Sequence, residues 1–130
     1  MNNVNAYERG RISQVDRCKW QSPQKNKYNA KKVRVDGILF DSQDEANYYC
    51  LLKLEVRSGN IAGFCRQARF VVTEGDDKVK GTEYVTDFVI FNNDGTYKIV
   101  DVKGVKTDVF KLKIKSLYEK YPKIKINLER

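Results

Sequence analysis

Residues 83–103, EYVTDFVIFNNDGTYKIVDVK, decide how this 130-residue chain is read. Two runs rich in Val, Ile, Phe and Tyr flank the turn Asn93-Asp94-Gly95, which predicts an antiparallel hairpin. Both runs are apolar at odd and even positions alike, with Tyr97 and Ile99 on one side, Val100 and Val102 on the other, and Tyr84, Phe88 and Ile90 behaving likewise in the first run. Such continuous apolarity belongs to central strands covered on both faces. Asp87, Asp101 and Lys103 interrupt it, and a buried ionised group is costly unless it is paired or bound to a metal.

Register decides whether those charges meet. A three-residue turn with Gly95 in the left-handed position pairs Asn92 with Thr96, which brings Asp87 opposite Asp101 on one face. A two-residue turn separates them. Gly95 stands where the three-residue turn needs its glycine, so the first register is expected, and alternation puts Lys103 on the Asp101 side. Two carboxylates at cross-strand distance, with the Val102 carbonyl between Asp101 and Lys103, form a hard oxygen set suited to Mg²⁺ or Mn²⁺. Such an ion polarises a phosphoryl oxygen and acidifies a bound water, while Lys103 orients that water or balances transition-state charge. The competing reading is a cross-strand ion pair contributing about 0.2–1 kcal/mol.

Working outward, KKVRVDGILF (31–40) reads as two short strands about the tight-turn dipeptide Asp36-Gly37. Ser42-Gln43-Asp44-Glu45 has the form of a capping box, opening a helix that runs to about Ser58 and stops at Gly59. Tyr49, Leu52 and Val56 fall on one face of it, and Glu45 shares that face. The alternative role of Glu45 is the reciprocal capping contact to Ser42. RQARFVVT (66–73) reads as a strand and EGDDKVKG (74–81) as a loop. Thr107 is the N-cap of a last helix bearing Phe110, Ile114, Leu117 and Tyr121 and stopped by Pro122, and KIKINL (123–128) closes the chain as a strand.

The chain contains no histidine. That excludes Ser-His-Asp and Cys-His nucleophile systems, His-ligated zinc and His-dependent nuclease centres, leaving carboxylates, lysines, hydroxyls and thiols. The net charge is +8, with nine Lys/Arg against three Asp/Glu in residues 1–40, six against seven in 41–80 and ten against seven in 81–130. A basic end beside a neutral middle suits a polyanion, most simply nucleic acid. Residues 1–27 show no hydrophobic period and read as a flexible basic arm, with Trp20 available to stack on a base or dock on protein; 28–130 read as a single domain. Cys18, Cys50 and Cys65 are odd in number and widely spaced, so a reduced, cytoplasmic protein is expected, without a disulfide framework. No apolar run has the length of a signal peptide or a membrane span.

Glu45 on a buried helix face, Asp87 in the first strand of a hairpin and Asp101-x-Lys103 in the second together resemble the PD-(D/E)xK nuclease superfamily, within it the small, often phage-encoded proteins similar to Holliday-junction resolvases. The resemblance runs from about Tyr28 to Lys120 and is carried by KYNAKKVRVDGILFDSQDEANYY (27–49), YVTDFVIF (84–91) and VDVKGVKTDVFKLK (100–113). It implies an α/β (α+β) fold, a mixed central β-sheet flanked by helices with a restriction-endonuclease-like core. Asp87 and Asp101 become metal ligands, Glu45 the helix-borne acid beside the metal and Lys103 the catalytic lysine. Thr86 replaces the proline of the family name, and Asp101 the commoner Glu, both variations the superfamily tolerates.

The activity implied is Mg²⁺-dependent (or Mn²⁺-dependent), structure-selective cutting of DNA, most simply resolution of four-way junctions by a twofold homodimer in the cytoplasm of the host cell. Lys31, Lys32, Lys106, Lys111 and Lys115 are the expected phosphate contacts, each with the alternative of a merely solvated lysine. Gln67 is expected to be a structural hydrogen-bonder, with contact to DNA or to the site as the alternative. The other functional readings are a nuclease of the same fold acting on a flap, a nicked duplex or a specific duplex site, and a non-catalytic DNA-binding accessory protein.

Overall fold

A computed structural model describes residues 18–21, 24–25, 31–102 and 107–129. It is a mixed α+β structure of seven strands and two helices among the described residues. The chain falls into two compact units, residues 1–62 and 63–130.

In the first unit, β1 (Gln24–Lys25), β2 (Lys31–Val35) and β3 (Ile38–Phe40) form an antiparallel sheet in that order. Val35 pairs with Ile38 across a two-residue turn whose Asp36 and Gly37 both carry positive φ, +54° and +80°. That is the turn whose twist matches a hairpin, and Asp and Gly are the residues that adopt it with least strain. Helix α1 (Gln43–Arg57) starts where the capping box puts it, with the Glu45 amide donating to Ser42 Oγ at 3.1 Å. Its face packs on β2 and β3 through Ala46 and Leu52, with the Tyr49 ring against Phe40. Val56, expected on the buried stripe, is exposed in the last turn.

The described residues of the N-terminal segment lie beside β2, and the expectation of reduced cysteines is corrected. Gln24 pairs with Lys32, Trp20 bridges Val35, and the Gln21 amide donates to the Arg34 carbonyl at 2.9 Å. Main-chain pairing needs no hydrophobic period, so an aperiodic polar segment can still occupy a sheet edge. Cys18 is disulfide-bonded to Cys50 of α1, and Cys65 is a free, exposed thiol. An odd cysteine count is compatible with one bridge and one spare thiol.

In the second unit, β4 (Gly63–Thr73), β5 (Thr82–Phe91), β6 (Tyr97–Val102) and β7 (Ile126–Glu129) form a sheet in chain order. The first three are antiparallel, and β7 returns parallel to β6 after the crossover helix α2 (Asp108–Lys120). A parallel return needs such a crossover. Thr107 caps α2, accepting the Phe110 amide at 3.1 Å. Leu117 and the helix's apolar face cover Tyr84, Val89, Ile99 and Ile126, which form the core of this unit. Phe88 and Val100, on the sheet's other face, are fully buried too, so the hairpin strands are covered on both sides. No helix among the described residues is long and apolar enough to cross a membrane.

Candidate functional site

The β5–β6 turn is the three-residue one. The Asn92 amide donates to the Thr96 carbonyl at 2.8 Å, Gly95 has φ +89°, and Phe88 pairs with Val100. Continuing that register by one step sets Asp87 opposite Asp101. At this step the carboxylates replace the backbone ladder. Asp101 Oδ1 accepts the Asp87 amide at 2.8 Å, and Asp87 Oδ2 accepts the Val102 amide at 2.8 Å. Each acid thus binds the main chain of the opposite strand, and these amides offset part of the repulsion between the two acids.

The ladder on the other side of β5 opens at the same place. Arg66 pairs with Phe88 and Ala68 with Thr86, but Gln67 and Asp87 between them do not pair, and Gln67 has φ +57°. Tyr84 and Val89, an odd number of residues apart, both lie in the core under α2. Regular alternation forbids that, so β5 changes faces between them, and the gap in the β4–β5 ladder at Gln67 is where it does so.

This switch brings in a residue that alternation hides. Three positions from Asp87, Tyr84 belongs on the face away from Asp101 in a regular strand, yet its hydroxyl donates to Asp101 Oδ2. Burial first, and then the Asp101 carboxylate, push the Tyr84 phenol well above its ordinary pKa of 10.0, so it stays a donor at any working pH. The sequence signal available was chemical: a buried aspartate needs donors, and a tyrosine is the core residue that carries one. Asp101 is 1% exposed and Asp87 half-buried, so the pair opens on the Asp87 side.

The other expected site residues divide. Val102 ends β6 and offers its amide to Asp87. Glu45 lies in the first turn of α1, in the other unit, and is 7% exposed. Lys103, Lys106 and the side chain of Lys31 lie outside the described residues. Lys32 lies 3.6 Å from Asp41 in an exposed ion pair. Lys111 and Lys115 stand on the β7 side of α2, at the rim of an apolar groove of about 680 Å³ lined by Ile114, Tyr118, Ile126 and Leu128. Lys113, which the sequence reading passed over, faces the opposite way, lining a pocket of about 300 Å³ with Tyr84, Glu83 and Thr107.

Among the described residues no group of three or more acid or cysteine side chains converges. Asp87 and Asp101 nonetheless fit a hard cation. A carboxylate has about four lone-pair sites, so an oxygen accepting one hydrogen bond retains capacity for coordination. Mg²⁺ needs only one or two carboxylates, since it keeps several waters.

No curated protein and no solved structure is significantly similar to the chain. Residues 25–129, most of its length, match the family described as protein of unknown function DUF1064, and the chain belongs to that family.

Proposed function

We propose that this chain is a metal-dependent DNA endonuclease of the PD-(D/E)xK type, with Asp87 and Asp101 as its metal ligands and four-way junctions as its substrate. The observation that carries this reading is the facing of two carboxylates across β5 and β6 at the step where the backbone ladder gives way to them. Proteins place strained backbone and opposed like charges where they are used, and Gln67 at φ +57° beside the pair is such a strain. When bound, a divalent cation there supplies a polarised phosphoryl oxygen and a more acidic water. Asp87, on the open side, meets the substrate first, while Asp101 behind it is held by Asp87 and Tyr84. The net charge of +8 supplies the attraction to phosphate. Glu45 and Lys103 enter this reading through the resemblance to that superfamily alone.

The test is cleavage of a labelled four-way junction with Mg²⁺. Nicking is expected, and Asp101→Asn should reduce it by roughly two orders of magnitude or more. Absence of cleavage by pure wild type, or undiminished cleavage by the variant, overturns the reading. Competition with linear duplex separates junction selectivity from action on flaps, nicks or duplex sites. One observation favours the accessory-protein alternative: both Asp101 oxygens already serve structural hydrogen bonds. That alternative wins if Asp87→Ala tightens DNA binding and the parent cuts nothing.

A further inference from the structure

We infer that Tyr84 is a positioning residue of the acid pair: its hydroxyl fixes the Asp101 carboxylate in the orientation in which Asp87 and Asp101 together take a divalent cation. The inference rests on the metal-dependent reading above and deepens it.

A carboxylate held by one donor still turns about its terminal torsion, which is broad and roughly two-fold. Asp101 is held by two donors on different oxygens, the Asp87 amide on Oδ1 and the Tyr84 hydroxyl on Oδ2. Two fixed points define the plane of the group. The donors also arrive from different kinds of support. The amide belongs to the strand that carries the first acid, so it ties the two acids to each other. The hydroxyl belongs to a ring that is 4% exposed, packed with Val89, Ile99, Leu117 and Ile126 beneath α2, so it ties the pair to the core. A ring packed in that way has little freedom to follow the carboxylate, and the carboxylate must follow the ring. Partners that orient a ligating side chain change metal affinity 10- to 100-fold without touching the metal.

The geometry exists because β5 changes faces at Asp87. Without that switch Tyr84 would point away from Asp101. The gap in the β4–β5 ladder at Gln67 and the Tyr84 hydroxyl are thus parts of one arrangement, in which the strain at Gln67 secures the second donor.

Tyr84→Phe removes the hydroxyl and keeps the ring. Mn²⁺ binding to the full chain, followed by the electron paramagnetic resonance of free Mn²⁺, should be abolished by Asp101→Asn and weakened about 10- to 100-fold by Tyr84→Phe. Junction cleavage by Tyr84→Phe should recover to within about threefold of wild type at saturating Mn²⁺. Leu117→Ala, which loosens the packing around the ring and leaves the hydroxyl, should weaken Mn²⁺ binding less than Tyr84→Phe does. Tyr84→Phe with unchanged Mn²⁺ affinity, or with a lowered rate that saturating Mn²⁺ does not restore, overturns the positioning role while leaving the metal reading intact. Wild-type Mn²⁺ binding indifferent to Asp101→Asn overturns the metal reading itself. Should Tyr84→Phe fail to fold, wild type labelled with ¹³C at the tyrosine Cζ decides. Mg²⁺ should move the Tyr84 signal, and binding that leaves every tyrosine signal in place overturns the inference.

Discussion

Asp101 accepts the backbone amide of Asp87, its opposite number across the hairpin, at 2.8 Å. The second acid of the pair is therefore part of the support of the first. Removing it orphans two donors, the part-buried Asp87 amide and the buried Tyr84 hydroxyl.

Leaving a buried donor unsatisfied costs about 1–3 kcal/mol, and waters fill such a gap only partly. Asp101→Ala should therefore destabilise the fold by about 2–4 kcal/mol. Asp87→Ala orphans one part-buried amide, that of Val102, and should cost about 1 kcal/mol. Urea unfolding of the two variants checks this order, and equal losses would contradict the support described here.

Gln67 sits at φ +57° within a strand, a conformation disfavoured for any residue with a β-carbon and most of all for a branched one. Gln67→Val should destabilise by about 1–2 kcal/mol, while Gln67→Gly and Gln67→Asn stay within about 1 kcal/mol of wild type. Because the face switch carries Tyr84 to Asp101, Gln67→Val should also weaken Mn²⁺ binding. Chemical denaturation and a metal titration on the same samples test both halves.

The elements, their caps and the hairpin register were legible because each rests on local chemistry: Ser42 and Thr107 accepting amides three residues on, Gly95 at positive φ, Asp36-Gly37 in a two-residue turn. The juxtaposition of Asp87 and Asp101 follows from Gly95 alone once a strand pair is granted. What was not legible depends on a break in periodicity. No residue type at Gln67 announces a left-handed backbone, so strict alternation put Tyr84 on the wrong face. Pairing of Cys18 with Cys50 escaped for a similar reason, because it follows from a polar segment joining β2 and not from cysteine spacing.

Asp36 collects the Lys19 amide at 2.7 Å, the Tyr49 hydroxyl at 3.1 Å and Lys53 Nζ at 2.5 Å. Burial alone raises its pKa. The hydrogen bonds from Lys53, Lys19 and Tyr49 and the charge of Lys53 outweigh that and hold it below its ordinary 3.8. A lowered folded pKa means the unfolded chain takes up the proton first, so stability rises with pH in this range. The contribution is fully present well above pH 3.8 and disappears as pH falls through the lowered value. Asp36→Asn keeps a residue that tolerates the left-handed turn, so it should lose about 1–2 kcal/mol at pH 7 and show a flatter acid limb than wild type. Stability measured from pH 7 to pH 2 gives both numbers.

The Cys18–Cys50 bridge closes a loop with a sequence separation of 32. In the chain-entropy account, a loop of that length stabilises by about 3–4 kcal/mol, with less commonly realised. Cys18→Ser, or reduction of wild type, should lower the stability of the first unit by up to that amount. Alkylation under native, non-reducing conditions should label Cys65 alone. Mass spectrometry showing three labelled thiols would contradict the bridge.

Under the proposed action on DNA, the lysines of α2 distinguish two paths for a bound strand. Lys111 and Lys115, four residues apart, share the face beside β7, whereas Lys113 lines a pocket with Glu83, Tyr84 and Thr107. On that reading Lys113, which shares a pocket with the tyrosine that holds Asp101, is the helix lysine expected nearest a strand at the acid pair. Lys113→Ala should therefore weaken DNA binding more than Lys111→Ala or Lys115→Ala, and should reduce the slope of log affinity against log salt by about one. Anisotropy titrations of a labelled junction across a salt series measure that slope for each variant. Should Lys111→Ala and Lys115→Ala carry the loss and Lys113→Ala none, the DNA lies along β7, and a strand bound there is not the one delivered to Asp87 and Asp101.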